Sequence, residues 1–161
     1  MVQMLETHEN VMAAELGFAP LLADDIISLT LEMCLGELPL IFSLPVEQVL
    51  SLGPRLIQEG AQAISISAPR GALHLTPSPS LRSASQSPTR RGELITGRLY
   101  GPSLFPQTLE TVYSAGKLGL PIIGAGGVWN KENADAMLWA GALAVQVDAA
   151  LWGLTGKINL L

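Results

Sequence analysis

Short apolar runs bounded by Gly and Pro alternate along this chain with stretches whose apolar residues recur at three- and four-residue spacing. The first pattern predicts strands and the second predicts helices. Residues 38–43, 61–67, 120–124 and 142–147 are four clear strand candidates, and 11–16 is a further one. Each clear run reads as buried on both faces, the mark of a parallel sheet. Between them, Val49, Leu50, Leu56 and Ile57 share a predicted helical face, with Gly53-Pro54 as a kink or restart and Gly60 as the end. Leu109, Val112 and Tyr113 mark a second helix, stopped at Gly119. Asn130 is the predicted N-cap of a third, which runs through Met137 and Leu138 to Gly141. An earlier helix opens at Asp24 or Asp25 and carries Ile26, Leu29 and Met33 on one face.

The pattern repeats. Leu38-Pro39-Leu40-Ile41 returns 82 positions later as Leu120-Pro121-Ile122-Ile123. The run from Gly60-Ala61 to Ile66 returns 81 positions later, from Gly141-Ala142 to Val147. Each copy is strand, helix, Gly-Ala, strand. Successive units of this kind build a parallel sheet, and closed on themselves they make a (β/α) barrel. A full barrel takes about 250 residues, and this chain has 161. The predicted fold is therefore a parallel α/β half-barrel, the last four or five strand–helix units of a TIM barrel. Residues 1–10 read as a tail and 11–161 as the partial barrel.

Charge changes the picture in one stretch. Of nine Lys and Arg, five (Arg70, Arg82, Arg90, Arg91, Arg98) lie between 70 and 98, and no Asp or Glu falls between 70 and 92. With its Ser and Pro content, the segment 69–97 reads as a long mobile loop, either a plain solvated loop or a basic lid over an anion. The net charge of -5 and pI near 4.9 argue against general nucleic-acid binding. A mean hydropathy of +0.38 is high, yet no run of about 18 uncharged apolar residues suits a membrane span. Residues 1–10 lack the basic-then-apolar order of a signal peptide, so the expected compartment is the cytoplasm. A single cysteine, Cys34, excludes a disulfide framework, and its place beside Met33 makes it buried filler. His8 and His74 have no Cys, Asp or Glu at ligand spacing, and no metal site is expected. Glu15 and Asp148 both end strand candidates. They read as a pair of solvated acids or as an acid–base or metal pair at the end of the barrel where active sites form. Trp129, Trp139 and Trp152 are expected to pack, or to cover apolar surface that a complete barrel would bury.

Gly124-Ala125-Gly126-Gly127-Val128 closes a strand just before a capped helix. Glycines there let backbone N–H groups approach an anion, and the helix dipole adds to the attraction. Barrel phosphate sites use the loops after the seventh and eighth strands. The runs 120–124 and 142–147 fit those two strands. The competing reading is a tight turn that needs small residues.

The same residues resemble a family. The run from Gly97 through Gly101-Pro102-Ser103 and Phe105-Pro106 to Leu109 resembles the Ser-Gly-Pro…Lys-Pro…Leu segment of dihydroorotate dehydrogenases. Leu120-Pro121-Ile122-Ile123-Gly124-Ala125-Gly126-Gly127-Val128 resembles their Pro-Ile-Ile-Gly-x-Gly-Gly-Ile, and 133–147 their next helix and strand. The likeness is strong from 97 to 152, fair from 39 to 67 and faint before that. It implies a TIM barrel, FMN as cofactor and oxidation of dihydroorotate to orotate in pyrimidine synthesis. It also implies that the three strands opening the family's barrel are missing here. By position, the Gly126 and Gly127 N–H groups would hold the FMN phosphate. Gly97 would lie near the flavin, and Asp148-Ala149 would complete the cofactor site after the last strand.

Several positions depart from the pattern. The family has Gly-Thr or Gly-Ser where this chain has Asp148-Ala149, and a carboxylate beside a phosphate dianion is repulsive in a dry site. The family's lysine aligns with Ser43, its asparagine with Ala68, and its Cys or Ser base falls near Ala19. Alanine accepts no proton, so no catalytic residue is assigned. The resemblance predicts a dihydroorotate-dehydrogenase-like barrel domain, degenerate and inactive alone. The alternatives are an active oxidoreductase completed by another chain, or a non-flavin phosphate-binding barrel or protein-interaction subunit. Open sheet edges predict a homo-oligomer or a partner chain supplying the missing half.

Overall fold

The computed structural model describes residues 2–5, 8–17, 36–74 and 94–152. In chain order the helices and strands are α1 (Val2–Leu5), β1 (Ala14–Gly17), β2 (Leu40–Pro45), α2 (Val49–Gln58), β3 (Ala63–Ser67), β4 (Arg70–His74), β5 (Leu94–Arg98), α3 (Phe105–Lys117), β6 (Ile122–Ala125), α4 (Lys131–Trp139) and β7 (Ala144–Gln146). Short 3-10 turns occupy Pro102–Leu104 and Ala149–Trp152. The helix predicted after Asp24, Cys34 within it, and Ala19 lie outside the described residues.

Five strands form one parallel sheet in the order β1-β2-β3-β6-β7. The fold is α/β, as the repeat predicts. Each strand lies beside the strand of this sheet that precedes it in the chain. The order never reverses, as it does at the switch point of a doubly wound fold. Consecutive units of a (β/α) barrel have the same order. The chain divides into two units, and this sheet with α1–α4 belongs to the unit 1–68 and 100–161.

Burial on both faces holds for β3 and β6 but not for β2 and β7. Leu40, Phe42 and Leu44 of β2 are buried while Ile41, Ser43 and Pro45 between them are half-buried. Ile64, Ile66 and Ile122 continue the buried face and join Val49 and Leu56 of α2, Val112 and Ala115 of α3 and Met137 of α4 in one core. Among the described residues, α2, α3 and α4 pack on that face. Its opposite carries Glu15, Ser43, Ser65, Ser67 and Gln146, and exposure grows toward β7, where Ala144 and Gln146 are exposed. β3 and β6 are buried along most of their length. Each large core side chain such as Phe42 contributes about 1.5–3 kcal/mol by leaving water.

The helices follow the predicted places with three changes of face. α2 runs through Pro54 and packs Val49, Gly53 and Leu56 inward. A Cβ on Gly53 would meet Leu120 Cδ1 at 3.3 Å, so the missing side chain lets this helix sit close to the sheet. Leu50 is exposed because it lies one residue, about 100° of helical turn, from Val49. Thr108, Thr111, Val112 and Ala115 make the inner face of α3, which leaves Tyr113 exposed with Lys117 Nζ 4.1 Å above its ring. On α4, Met137 is buried but Leu138 is exposed and Trp139 is 91% exposed. Trp139 therefore does not pack within the described residues, and Trp129 is exposed as well.

The second unit, Pro69–Leu99, contains β4 and β5 as an antiparallel pair. The segment read as a loop thus has regular ends. Residues 75–93 lie outside the described ones.

Candidate functional site

Parallel strands deliver their following residues to one edge of a sheet. Here Ala125 of β6 stands opposite Gln146 of β7. Gly127 and Asp148 each follow two residues later, past the same edge. Four of the five expected site residues, Gly126, Gly127, Asp148 and Ala149, are therefore brought to the carboxyl ends of neighbouring strands. Gly97 is not among them. It lies within β5, opposite Gly71 in the antiparallel pair of the other unit.

The turn after β6 has a conformation that selects glycine. Gly126 has φ +94° and Gly127 φ +76°, in the half of backbone space that L side chains rarely enter. Space is lacking too. A Cβ on Gly126 would lie 2.8 Å from Thr108 Cγ2, and one on Gly127 would lie 2.3 Å from the Phe105 backbone nitrogen. The turn is thus pressed against the first turn of α3. The Thr108 hydroxyl, 1% exposed, donates to the Gly126 carbonyl at 2.7 Å. Among the described residues, the Gly126 and Gly127 N–H groups make no hydrogen bond outside the sheet ladder. Two neighbouring backbone donors at a strand end are suited to an oxyanion.

Past the turn, α4 opens with a reciprocal cap. Asn130 Oδ1 accepts from the Asn133 N–H at 2.9 Å, and Asn133 Oδ1 accepts from the Trp129 N–H at 3.2 Å. The predicted cap at Asn130 is formed. Past β7, the Asp148 carbonyl accepts from the Leu151 N–H at 2.9 Å as the chain enters its 3-10 turn. Asp148 is half-buried.

The sheet face away from the helices presents a polar strip. The Ser65 hydroxyl, 1% exposed, donates to Glu15 Oε1 at 2.7 Å, across β2. Ser43 is in register with Ser65 on that face, and Ala68 follows β3. Glu15 lies within β1 rather than at its end, and β1 and β7 are opposite edges of the sheet. Glu15 and Asp148 therefore form no pair. Among the described residues no three His, Cys, Asp or Glu cluster to hold a metal ion. His8 is exposed, and His74 ends β4. No described helix is long and apolar enough to cross a membrane.

Two features escaped the sequence reading, the Thr108 contact and the Ser65–Glu15 bond. Thr108 was detectable as a hydroxyl on the inner stripe 108, 111, 112, 115. Its partner, 18 positions away, was not.

Comparison with known proteins gives partial matches of one kind. The chain is 46% identical over 57 residues to the catalytic subunit of dihydroorotate dehydrogenase B (NAD(+)) of Geobacter sp. (strain M21), covering 35% of this chain and 19% of that protein. It is 28% identical over 130 residues to the corresponding subunit of Petrotoga mobilis, covering 80% of this chain and 41% of that protein. It is 42% identical over 65 residues to dihydroorotate dehydrogenase A (fumarate) of Limosilactobacillus reuteri, covering 38% and 21%. The chain thus spans less than half the length of the curated relatives it matches. No family model matches it.

Proposed function

We propose that this chain is a dihydroorotate-dehydrogenase-like partial (β/α) barrel that keeps the phosphate-holding turn of a flavin site and lacks the residues that oxidise dihydroorotate. The observation that carries this reading is the Gly126-Gly127 turn. Both residues have positive φ, neither N–H group makes a hydrogen bond outside the sheet ladder among the described residues, and the turn stands at the carboxyl end of β6 beside β7. That arrangement fits the phosphate of FMN, which would supply the two-electron chemistry of the enzymes the chain resembles. Gly126 and Gly127 would donate to the phosphate, and the Ala149 backbone would border it.

The rest of the site fits less well. Asp148 brings a carboxylate to the strand end where the resembled family has glycine. Ser43 offers a hydroxyl, not a cation, on the sheet face away from the helices, and Ala68 offers neither donor nor acceptor in its side chain. Gly97 belongs to the flavin reading by resemblance alone. We assign no catalytic residue and place the chain in the cytoplasm as a homo-oligomer or beside a partner that completes the barrel.

Flavin fluorescence during FMN titration tests the reading. Binding is expected to be weak, and Asp148→Gly is expected to tighten it by removing a repelling charge. No binding by either protein, or sub-micromolar binding by the unaltered chain that Asp148→Gly leaves unchanged, would contradict it.

A further inference from the structure

Thr108 has no place in the flavin reading, yet it makes the shortest side-chain contact to the glycine turn. The Gly126 carbonyl and the Gly127 N–H belong to one planar peptide, and the described residues contain no cis peptide. In a trans peptide these two groups point in opposite directions. Whatever fixes the carbonyl therefore fixes the N–H. Glycines on both sides of that peptide leave its rotation unusually free. We propose that Thr108 is a positioning residue that locks this peptide, turning the Gly126 carbonyl toward α3 and the Gly127 N–H away from it, where it can donate to an oxyanion. The ligand class rests on the phosphate reading above. The lock itself does not.

The geometry favours the lock over a merely structural hydroxyl. Thr108 Oγ1 is 2.7 Å from the Gly126 carbonyl, against 3.2 Å from the Leu104 carbonyl and 3.1 Å from the Phe105 carbonyl of its own helix. A hydroxyl has one proton, and the shortest contact is the inter-segment one. A buried helical threonine usually satisfies itself on the preceding turn. This one reaches across 18 positions of sequence instead. With the hydroxyl removed, a flipped peptide would aim its carbonyl oxygen at the ligand and repel it.

NMR of the full chain decides the matter. In the unaltered protein, the Thr108 hydroxyl proton is expected to be protected from exchange and to show a scalar coupling across the hydrogen bond to the Gly126 carbonyl carbon. A Thr108 hydroxyl proton that shows no such coupling, or that exchanges too fast to be seen, overturns the lock without any variant. Thr108→Val, which keeps the shape, is expected to move the Gly126 carbonyl and Gly127 amide resonances and to add exchange broadening there. Thr108→Ser is expected to restore both. With inorganic phosphate as probe, Thr108→Val should bind about five- to tenfold more weakly, the worth of one hydrogen bond, and Thr108→Ser within about twofold of the original. Unchanged Gly126 and Gly127 resonances in Thr108→Val would overturn the lock. If phosphate fails to shift the Gly127 amide in any variant, the phosphate reading falls, while the ligand-free spectra still decide the lock.

Discussion

A methyl group has no room at Gly127. Its Cβ would sit 2.3 Å from the Phe105 nitrogen, and the backbone there has φ +76°. The conformation alone costs an L residue about 1–2 kcal/mol, and displacing backbone adds about 1–3 kcal/mol. Gly127→Ala is therefore expected to destabilise the fold by roughly 2–5 kcal/mol in urea unfolding. Gly97 is the control. Nothing lies within 4 Å of its would-be Cβ, so Gly97→Ala should stay within about 0.5 kcal/mol of the original. Equal losses at both positions would show that the turn is not sterically special. The sequence announced this turn because a Gly-Gly pair between an apolar run and a capped helix is a local signal. It could not announce Thr108, whose meaning depends on which segment folds against it.

Elements were legible where their signals are local. The five strands of the sheet overlap the predicted runs, with β1 starting three residues late, and the Asn130 cap forms as expected. Asn130→Ala removes the acceptor for the Asn133 N–H and should cost about 1 kcal/mol, seen as a lowered melting temperature. Because α4 opens just past the glycine turn, the same variant tests whether the cap steadies it. Loss of cap stability without change in the Gly126 and Gly127 amide resonances would separate the two. Face assignments were less legible. Leu50, Tyr113 and Leu138 are apolar in the sequence but lie beside the inner stripe, not on it. β2 and β7 read as buried on both faces because apolar residues such as Ile41 and Ala144 do not distinguish a helix-covered face from a more open one. The β4–β5 pair was hidden by the Ser, Pro and Arg content between its strands.

At the scale of the whole molecule, β1 and β7 are the outer strands of the sheet, and neither has a further partner strand among the described residues. Trp139, Leu143 and Leu151 are exposed in the segments before and after β7. Unpaired parallel edges and exposed apolar side chains favour association. Sedimentation at micromolar concentration should therefore show a dimer or larger species, and a folded monomer there would count against it. The repeat made this architecture readable, since two copies of strand, helix and strand imply a sheet that grows in chain order. The departures from the resembled family's pattern were readable only by position, at Ser43 and Ala68. The most direct measurement mixes the purified chain with FMN and dihydroorotate without oxygen and follows the visible flavin absorbance. A retained phosphate turn without oxidising residues predicts that the flavin stays oxidised and keeps its yellow band. Rapid bleaching of that band, with orotate formed, would contradict it.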